Sequence, residues 1–184
     1  MARVQPVSTE DLSPAIKIAF ERHIEEYRAR VTNMKNVLSH SLLAFEVYMQ
    51  WYPLYSEVER VLGGRMASLY AYTISYASDC PLCATFFRKQ IIDAGERPEQ
   101  LQLTVKERQI LDFGSSIARC HGNIADHIYD PLTGTFGRQE MVILVAFAGQ
   151  MIAANVFNNV METDMDDFLQ DYLPPVRSIW QHAK

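Results

Sequence analysis

Residues 79–95 read DCPLCATFFRKQIIDAG, in which two cysteines three positions apart introduce a largely apolar run that ends at a glycine. Pro81 suits the first position of a helix because its missing N–H group needs no partner there. Gly95 is typical of the residue that follows a helix, since glycine tolerates a left-handed backbone. The pattern predicts a helix with both cysteines in its first turn.

Cys80 and Cys83 are the candidate catalytic residues, as a redox pair. A helix N-terminus carries unpaired N–H groups and about half a positive charge, which lowers the pKa of a nearby thiol. A second cysteine three residues later lies on the same face, so it can attack the oxidised first sulfur and close a disulfide. Helix-dipole reasoning favours Cys80 as the attacking sulfur. An inert or vestigial pair is the alternative.

A weaker interpretation is that the two cysteines supply half of the ligands of a metal site. Structural zinc takes four ligands, usually two such pairs or one pair plus two histidines. The sequence has no second Cys-x-x-Cys, and we expect Cys120 to be a buried, small hydrophobic residue. The histidines are scattered along the chain: His23, His40, His121, His127 and His182. We therefore expect neither a metal ion nor another cofactor.

The rest of the chain shows helical spacing and no confident strand, which predicts an all-α protein of about eight helices in a single domain over residues 1–184. Helices are expected near 14–32, from Leu42 to Val61 with a kink or restart at Pro53, and near 65–78, 80–94, 104–121, 124–130 and 138–160. A short helical turn over 33–41, a turn over Pro131–Gly137, an acidic helical turn over 163–172 and a last short helix carrying Trp180 complete the prediction.

Charge and hydropathy exclude some functions. A net charge of -5 and a pI of about 5.5 argue against a nucleic-acid partner. Residues Met1–Pro6 lack the apolar core of a signal peptide, so we expect a cytoplasmic protein. The uncharged run Met141–Met161 is long enough for a membrane span, but Gln150 and Asn155 would be costly in lipid. We interpret the run as a core helix and expect no membrane partner.

Three patterns resemble the carboxymuconolactone decarboxylase and alkylhydroperoxidase AhpD-like family over about residues 35–173. They are Leu69-x-x-x-x-Ile74-Ser75-x-x-x-x-Cys80-x-x-Cys83, Leu103-Thr104-x-x-Glu107-Arg108-x-Ile110-Leu111-x-Phe113, and Gln139-Glu140-x-Val142-x-Leu144 continuing to Asn155-x-x-Asn158. The resemblance implies an all-α fold that forms trimers or hexamers. It also implies that Cys80 and Cys83 reduce hydroperoxides, with electrons from a dithiol such as a lipoyl group.

The proton relay that the resemblance implies has no counterpart in this sequence. Where redox members of the family carry a Glu and two His, this chain has Ser68, Leu82 and Phe87. The family's relay His faces the second cysteine, here Cys83, so the attacking sulfur stays open between Cys83 and Cys80.

Other nearby groups are assigned structural roles. We expect Asp79 to cap the helix, Tyr72 and Tyr76 to be core residues, and Arg88 to be an exposed helix charge. His121 and His127 are the best distant candidates for a base.

Three functional hypotheses follow. The first is an AhpD-like enzyme with an antioxidant role that reduces hydroperoxides or disulfides. The second is a non-enzymatic or redox-sensing oligomer with inherited cysteines. The third, a muconolactone-type decarboxylase, would need a cationic pocket, and only Arg88 and Lys89 lie near the pair in sequence. We also expect homo-oligomers, because uncharged helices near 66–78 and 141–161 need more cover than a small domain supplies.

Overall fold

All regular structure in residues 2–174, the part of the chain that the computed structural model describes, is helical. The helices are α1 (Pro14–Tyr27), α2 (Asn33–Leu38), α3 (Leu42–Met49), α4 (Trp51–Leu62), α5 (Gly64–Ala77), α6 (Pro81–Asp93), α7 (Val105–Arg119), α8 (Asp126–Thr133) and α9 (Arg138–Met161), with 3-10 turns over Pro98–Gln100 and Asp167–Tyr172. The all-α prediction is confirmed. The short helix expected around Trp180 lies outside the described residues.

α5 is the central helix and packs against α4, α6, α7 and α9. Its segment Met66–Ser75, which has no charged residue, is almost entirely buried, as the sequence predicts, whereas Arg65 at its start is exposed. Tyr70 is fully buried, and its hydroxyl donates to the carbonyl of Leu144 in α9 at 3.2 Å. Gly114 of α7 lies against the Tyr70 ring, where an added Cβ would sit 2.5 Å from Cε2. The missing side chain at Gly114 therefore sets how closely α5 and α7 approach.

α9 is only half buried, so its interpretation as a core helix holds for one face. Leu144 and Phe147 are fully buried, whereas Val142 and Val156 on the opposite face are more than half exposed. Of the described helices, α9 alone is long and apolar enough to cross a membrane, and 39% of its most apolar window is buried within the protein.

Several expected boundaries need correction. α1 ends at Tyr27 rather than near residue 32, because Arg28 adopts a left-handed conformation with φ of 49°. The restart expected at Pro53 within the stretch from Leu42 to Val61 lies slightly earlier, and the stretch divides into two helices. The second begins at Trp51, which leaves Pro53 in a first turn, where its missing N–H is tolerated. α8 runs to Thr133 and includes Pro131, where a turn was expected.

Candidate functional site

The turn between α5 and α6 places the two cysteines. Asp79 is exposed with φ of 50°, and the N–H of Cys80 donates to the carbonyl of Ser75 at 3.1 Å. This hydrogen bond spans six residues and encloses Asp79 in the left-handed conformation, which is a common arrangement at the C-terminal end of a helix. Asp79 therefore ends α5 and does not cap α6, contrary to the sequence-based expectation. Cys80 itself is the N-cap residue of α6, and Cys83 lies in the first turn.

Both sulfurs are nearly inaccessible and both are free thiols. Cys80 is 1% exposed and Cys83 is 7% exposed. The pKa of Cys80 is lowered, chiefly because Cys83 donates a hydrogen bond to it, with help from the N–H groups of Leu82 and Cys83 and against the effect of burial. The pKa of Cys83 is raised, by the same hydrogen bond and by burial. The hydrogen bond therefore couples the titration of the two thiols and makes Cys80 the more acidic of the pair.

Asn158 of α9 reaches the second cysteine. Its side-chain N–H group donates to the sulfur of Cys83 at 3.2 Å and lies 3.3 Å from the sulfur of Met34. This bond favours the thiolate form of Cys83 and opposes the effect of burial. Asn155, one turn earlier, is fully buried, and neither of its amide atoms has a partner. α9 therefore supplies one polar contact to the cysteine pair.

Cys83 forms part of the wall of a cavity of about 390 Å³, whereas Cys80 packs with Leu82 and Met165. Most of the wall is apolar or aromatic: Met34, Met49, Trp51, Tyr52, Tyr55, Leu82, Phe86, Phe87, Met151, Ala154 and Phe168. The charged wall residues are Arg30, Lys35, Lys89, Asp93 and Asp166. A cavity of this size and composition suits one small, largely apolar molecule.

The three positions where the family resemblance implies bases lie at or beside this cavity. Leu82 and Phe87 form part of its wall. The Ser68 hydroxyl lies 3.0 Å from the hydroxyl of Tyr55 and donates to Oε1 of Gln90 at 3.1 Å, and both of those residues line the cavity. This network is neutral, since burial raises the pKa of Tyr55 to about 12. None of these groups can act as a base at neutral pH.

The structure does not bring the other candidates to the cavity. His121 is exposed in the loop between α7 and α8, and His127 is exposed in the first turn of α8. Cys120 is exposed at the end of α7, so its expected burial is wrong. Arg88 is 6% exposed and forms an ion pair with Glu99, so its expected exposure is also wrong. Tyr72 is a core residue as expected, at 1% exposure.

Lys35 is a cavity residue that the sequence did not indicate. It is only 5% exposed, and its ammonium donates to the carbonyl of Arg30 at 2.5 Å and to the hydroxyl of Tyr52 at 2.9 Å. Burial lowers its pKa to about 8, against the opposing charge of Asp166. A lysine is normally an exposed residue. Only the fold therefore shows that Lys35 is buried beside the cavity.

Within residues 2–174, no group of three or more His, Cys, Asp or Glu side chains lies close enough together to hold a metal ion. The cavity wall has one cysteine and two carboxylates as possible ligands.

No protein-family model and no curated protein matches this sequence. The crystal structure of the debrominase Bmp8 in its apo form shares the fold, with a TM-score of 0.67 and 12% sequence identity. The match covers 92% of this chain and 95% of the Bmp8 chain. At this identity the likeness shows a shared all-helical architecture. The resemblance to the AhpD-like family stays a prediction.

Proposed function

We propose that the protein is a thiol-disulfide oxidoreductase in which Cys80 and Cys83 deliver two electrons to a small apolar substrate. One observation carries the proposal: two hydrogen-bonded cysteines lie at the start of α6, and one of them, Cys83, forms part of the wall of an aromatic cavity. Hydroperoxides and disulfides are the first substrate classes, with a dithiol such as a lipoyl group as reductant.

For a hydroperoxide the reaction proceeds in two steps. Cys80, as the thiolate, attacks the terminal oxygen of a peroxide that has to pass Cys83, because Cys83 and not Cys80 lines the cavity. The O–O bond breaks, and the departing alkoxide takes a proton to become an alcohol. Cys83 then attacks the sulfenic acid on Cys80, which forms the disulfide and releases water. One hydroperoxide and two thiols thus give one alcohol, one water and one disulfide. A dithiol reduces the disulfide and becomes oxidised itself.

Reductive dehalogenation of an aromatic ring is a second candidate. The near full-length likeness to a debrominase and the aromatic cavity wall favour it. A thiolate would take the halogen as a sulfenyl halide, and the carbon would keep the bonding electrons and accept a proton. Closure of the disulfide would then release halide. One aryl halide and two thiols give one arene, one disulfide and one hydrogen halide.

Thiol titration under anaerobic conditions tests both reactions. The reduced protein is mixed with one equivalent of cumene hydroperoxide, of a small disulfide or of 4-bromophenol. We expect the parent to lose two thiols per molecule of the true substrate, and Cys80→Ser and Cys83→Ser variants not to close a disulfide. Cys120→Ser is the matched control, because Cys120 is exposed and distant from the cavity wall.

Equal consumption by the parent and the two cysteine variants would refute the proposal. Slow disulfide formation without turnover of any of the three compounds would favour the redox-sensing or non-enzymatic alternative.

We also propose that copies of the chain associate through the exposed face of α9. From Val142 to Val160, the exposed residues at helical spacing are all uncharged: Val142, Val145, Gly149, Ala153, Val156 and Val160. The face is about 27 Å long at 1.5 Å per residue. A second copy can cover it with the same face, which is the geometry of a two-fold interface.

A further inference from the structure

The environment of Lys35 indicates what the cavity binds. Its ammonium is buried, and its hydrogen-bond acceptors, the Arg30 carbonyl and the Tyr52 hydroxyl, are both neutral. No carboxylate in residues 2–174 forms an ion pair with it within 4 Å. The charge of Asp166 acts on the ammonium only from beyond 4 Å. The ammonium therefore has no direct ion-pair partner in the described part of the chain, and a buried charge without one is unfavourable. An anion placed beside Lys35 would remove that cost.

The other charges of the cavity do not supply this anion. Lys89 forms an ion pair with Asp93 on the same helix. The Asp166 carboxylate accepts a hydrogen bond from the N–H of Asn33 at 2.9 Å, and its second oxygen is buried without a partner. Three cations and two carboxylates line the cavity: Arg30, Lys35, Lys89, Asp93 and Asp166. The wall therefore carries one net positive charge.

Aromatic rings form the neighbouring wall. The rings of Trp51 and Tyr52 lie 4.1 Å apart, and Phe87 packs edge-on to Trp51 at 6.2 Å. Tyr55 and Phe86 extend this surface along the cavity. Aromatic walls favour flat, aromatic ligands, because ring pairs gain from offset or edge contacts beyond simple burial.

We propose that the cavity binds a small aromatic anion, a ring bearing one carboxylate or phenolate, with the anionic oxygen at Lys35 and the ring against Trp51. This deepens the proposed function by naming the substrate class of the same cavity. It rests on that function for the reaction, whereas the binding can be measured without any turnover.

The protonation state of Lys35 fits this role. Its pKa of about 8 leaves the ammonium mostly protonated at neutral pH. The groups that face it are the hydroxyl of Tyr52, the carboxylate of Asp166, the carbonyl of Arg30 and the ring of His23, whose own pKa Lys35 lowers. Anion binding should therefore weaken as the pH rises through 8, when the ammonium loses its proton.

Calorimetric titration with 2-naphthoate and its neutral counterpart 2-naphthamide tests the proposal. Neither probe oxidises thiols, so the reduced full-length protein can be used directly. We expect the anion to bind at least tenfold more tightly, as a charged hydrogen bond of about 1.5–3 kcal/mol gives. Lys35→Met should lose this preference and keep its affinity for the amide. Lys106→Met, at an exposed lysine of α7, should behave as the parent.

Equal affinities of the parent for the two probes would overturn the proposal, as would an unchanged preference in Lys35→Met. If Lys35→Met does not fold, the pH dependence of the parent's preference for 2-naphthoate over 2-naphthamide tests the proposal instead. A preference that falls between pH 7 and 9 supports the role of Lys35, and a constant one refutes it. The binding test involves no thiol chemistry, so a failed thiol reaction would leave this result intact.

Discussion

At the scale of single residues, the cysteine pair depends on its one polar neighbour in α9. Asn158 donates to Cys83, the thiol whose pKa is raised and which must lose its proton before it can close the disulfide. In the proposed cycle, the amide N–H therefore acts on the second step rather than on the first.

We predict that Asn158→Leu slows disulfide closure about tenfold, because a hydrogen bond to a charged acceptor is worth about 1.5–3 kcal/mol. Stopped-flow measurement of sulfenic acid formation and decay after mixing with peroxide separates the two steps. Asn155→Leu is the matched control, since Asn155 is buried on the same helix but its amide has no partner. Similar closure rates in the two variants would contradict the role of Asn158.

His23 makes the fold sensitive to acid. It is 3% exposed among the rings of Tyr27, Phe45 and Tyr52, and neither ring nitrogen has a hydrogen-bond partner. Burial, aided by the charge of Lys35, lowers its pKa from 6.5 to about 4. Between these values the unfolded chain binds the proton and the folded chain does not. The contribution of the neutral His23 ring to the free energy of unfolding is therefore fully present above pH 6.5 and is lost as the pH falls towards 4.

We predict that His23→Phe removes this part of the pH dependence, which amounts to up to about 3 kcal/mol at pH 4. Urea unfolding of the parent and the variant from pH 4 to 7 measures it. His40→Phe is the control, because His40 is exposed. The prediction fails if the difference in unfolding free energy between parent and His23→Phe is the same at every pH.

At the scale of helices, the contact between α5 and α7 allows no added side chain at Gly114. We predict that Gly114→Ala lowers stability by about 1–3 kcal/mol, because the new methyl group would meet the buried ring of Tyr70. Gly149→Ala provides the contrast. An added Cβ there meets nothing within 4 Å, and the variant should gain up to about 1 kcal/mol from helix propensity. Thermal unfolding of both variants tests the pair, and a Gly114→Ala protein as stable as Gly149→Ala would refute the close contact.

Local sequence signals predicted the ends of several helices because they act through neighbouring residues. Ser13 caps α1, and Thr104 and Glu107 form the capping box of α7. Asp79 was misassigned because its residue type suits either side of the turn, and only the bond from Cys80 to Ser75 decides between them. Signals of this kind determine where a helix begins or ends, but not which helices pack against each other.

The cysteines of the site could be predicted from the sequence, and the rest of the cavity could not. Cys80 and Cys83 are adjacent in the chain and form a recognisable pattern. Lys35 and Asn158 come from helices far away in sequence, and neither residue type nor spacing distinguishes them from exposed residues. Their role depends on long-range packing of α2 and α9 around α6, which a single sequence does not encode in any local pattern.

At the scale of the whole molecule, we propose that the exposed face of α9 mediates assembly. The expectation that α5 also needs external cover is wrong, because its neighbours within the chain bury its segment Met66–Ser75 almost entirely. We predict that Val145→Glu combined with Val156→Glu converts the parent oligomer to monomer, since both charges would be desolvated in the interface. Light scattering coupled to size-exclusion chromatography measures the mass.

Val105→Glu is the matched control for assembly, because Val105 is equally apolar and 73% exposed but lies on α7. It should leave the mass of the parent unchanged. A parent that is already monomeric at micromolar concentration would contradict the proposed interface.

The indole in the cavity wall gives the protein an optical readout of its own. The chain has only two tryptophans, Trp51 and Trp180. A Trp180→Phe variant would leave Trp51 as the sole source of tryptophan emission, in ring contact with Tyr52 and beside the space that a ligand fills. Emission intensity and wavelength would then report occupancy in real time and without any label, so candidate compounds could be screened before a reaction is known.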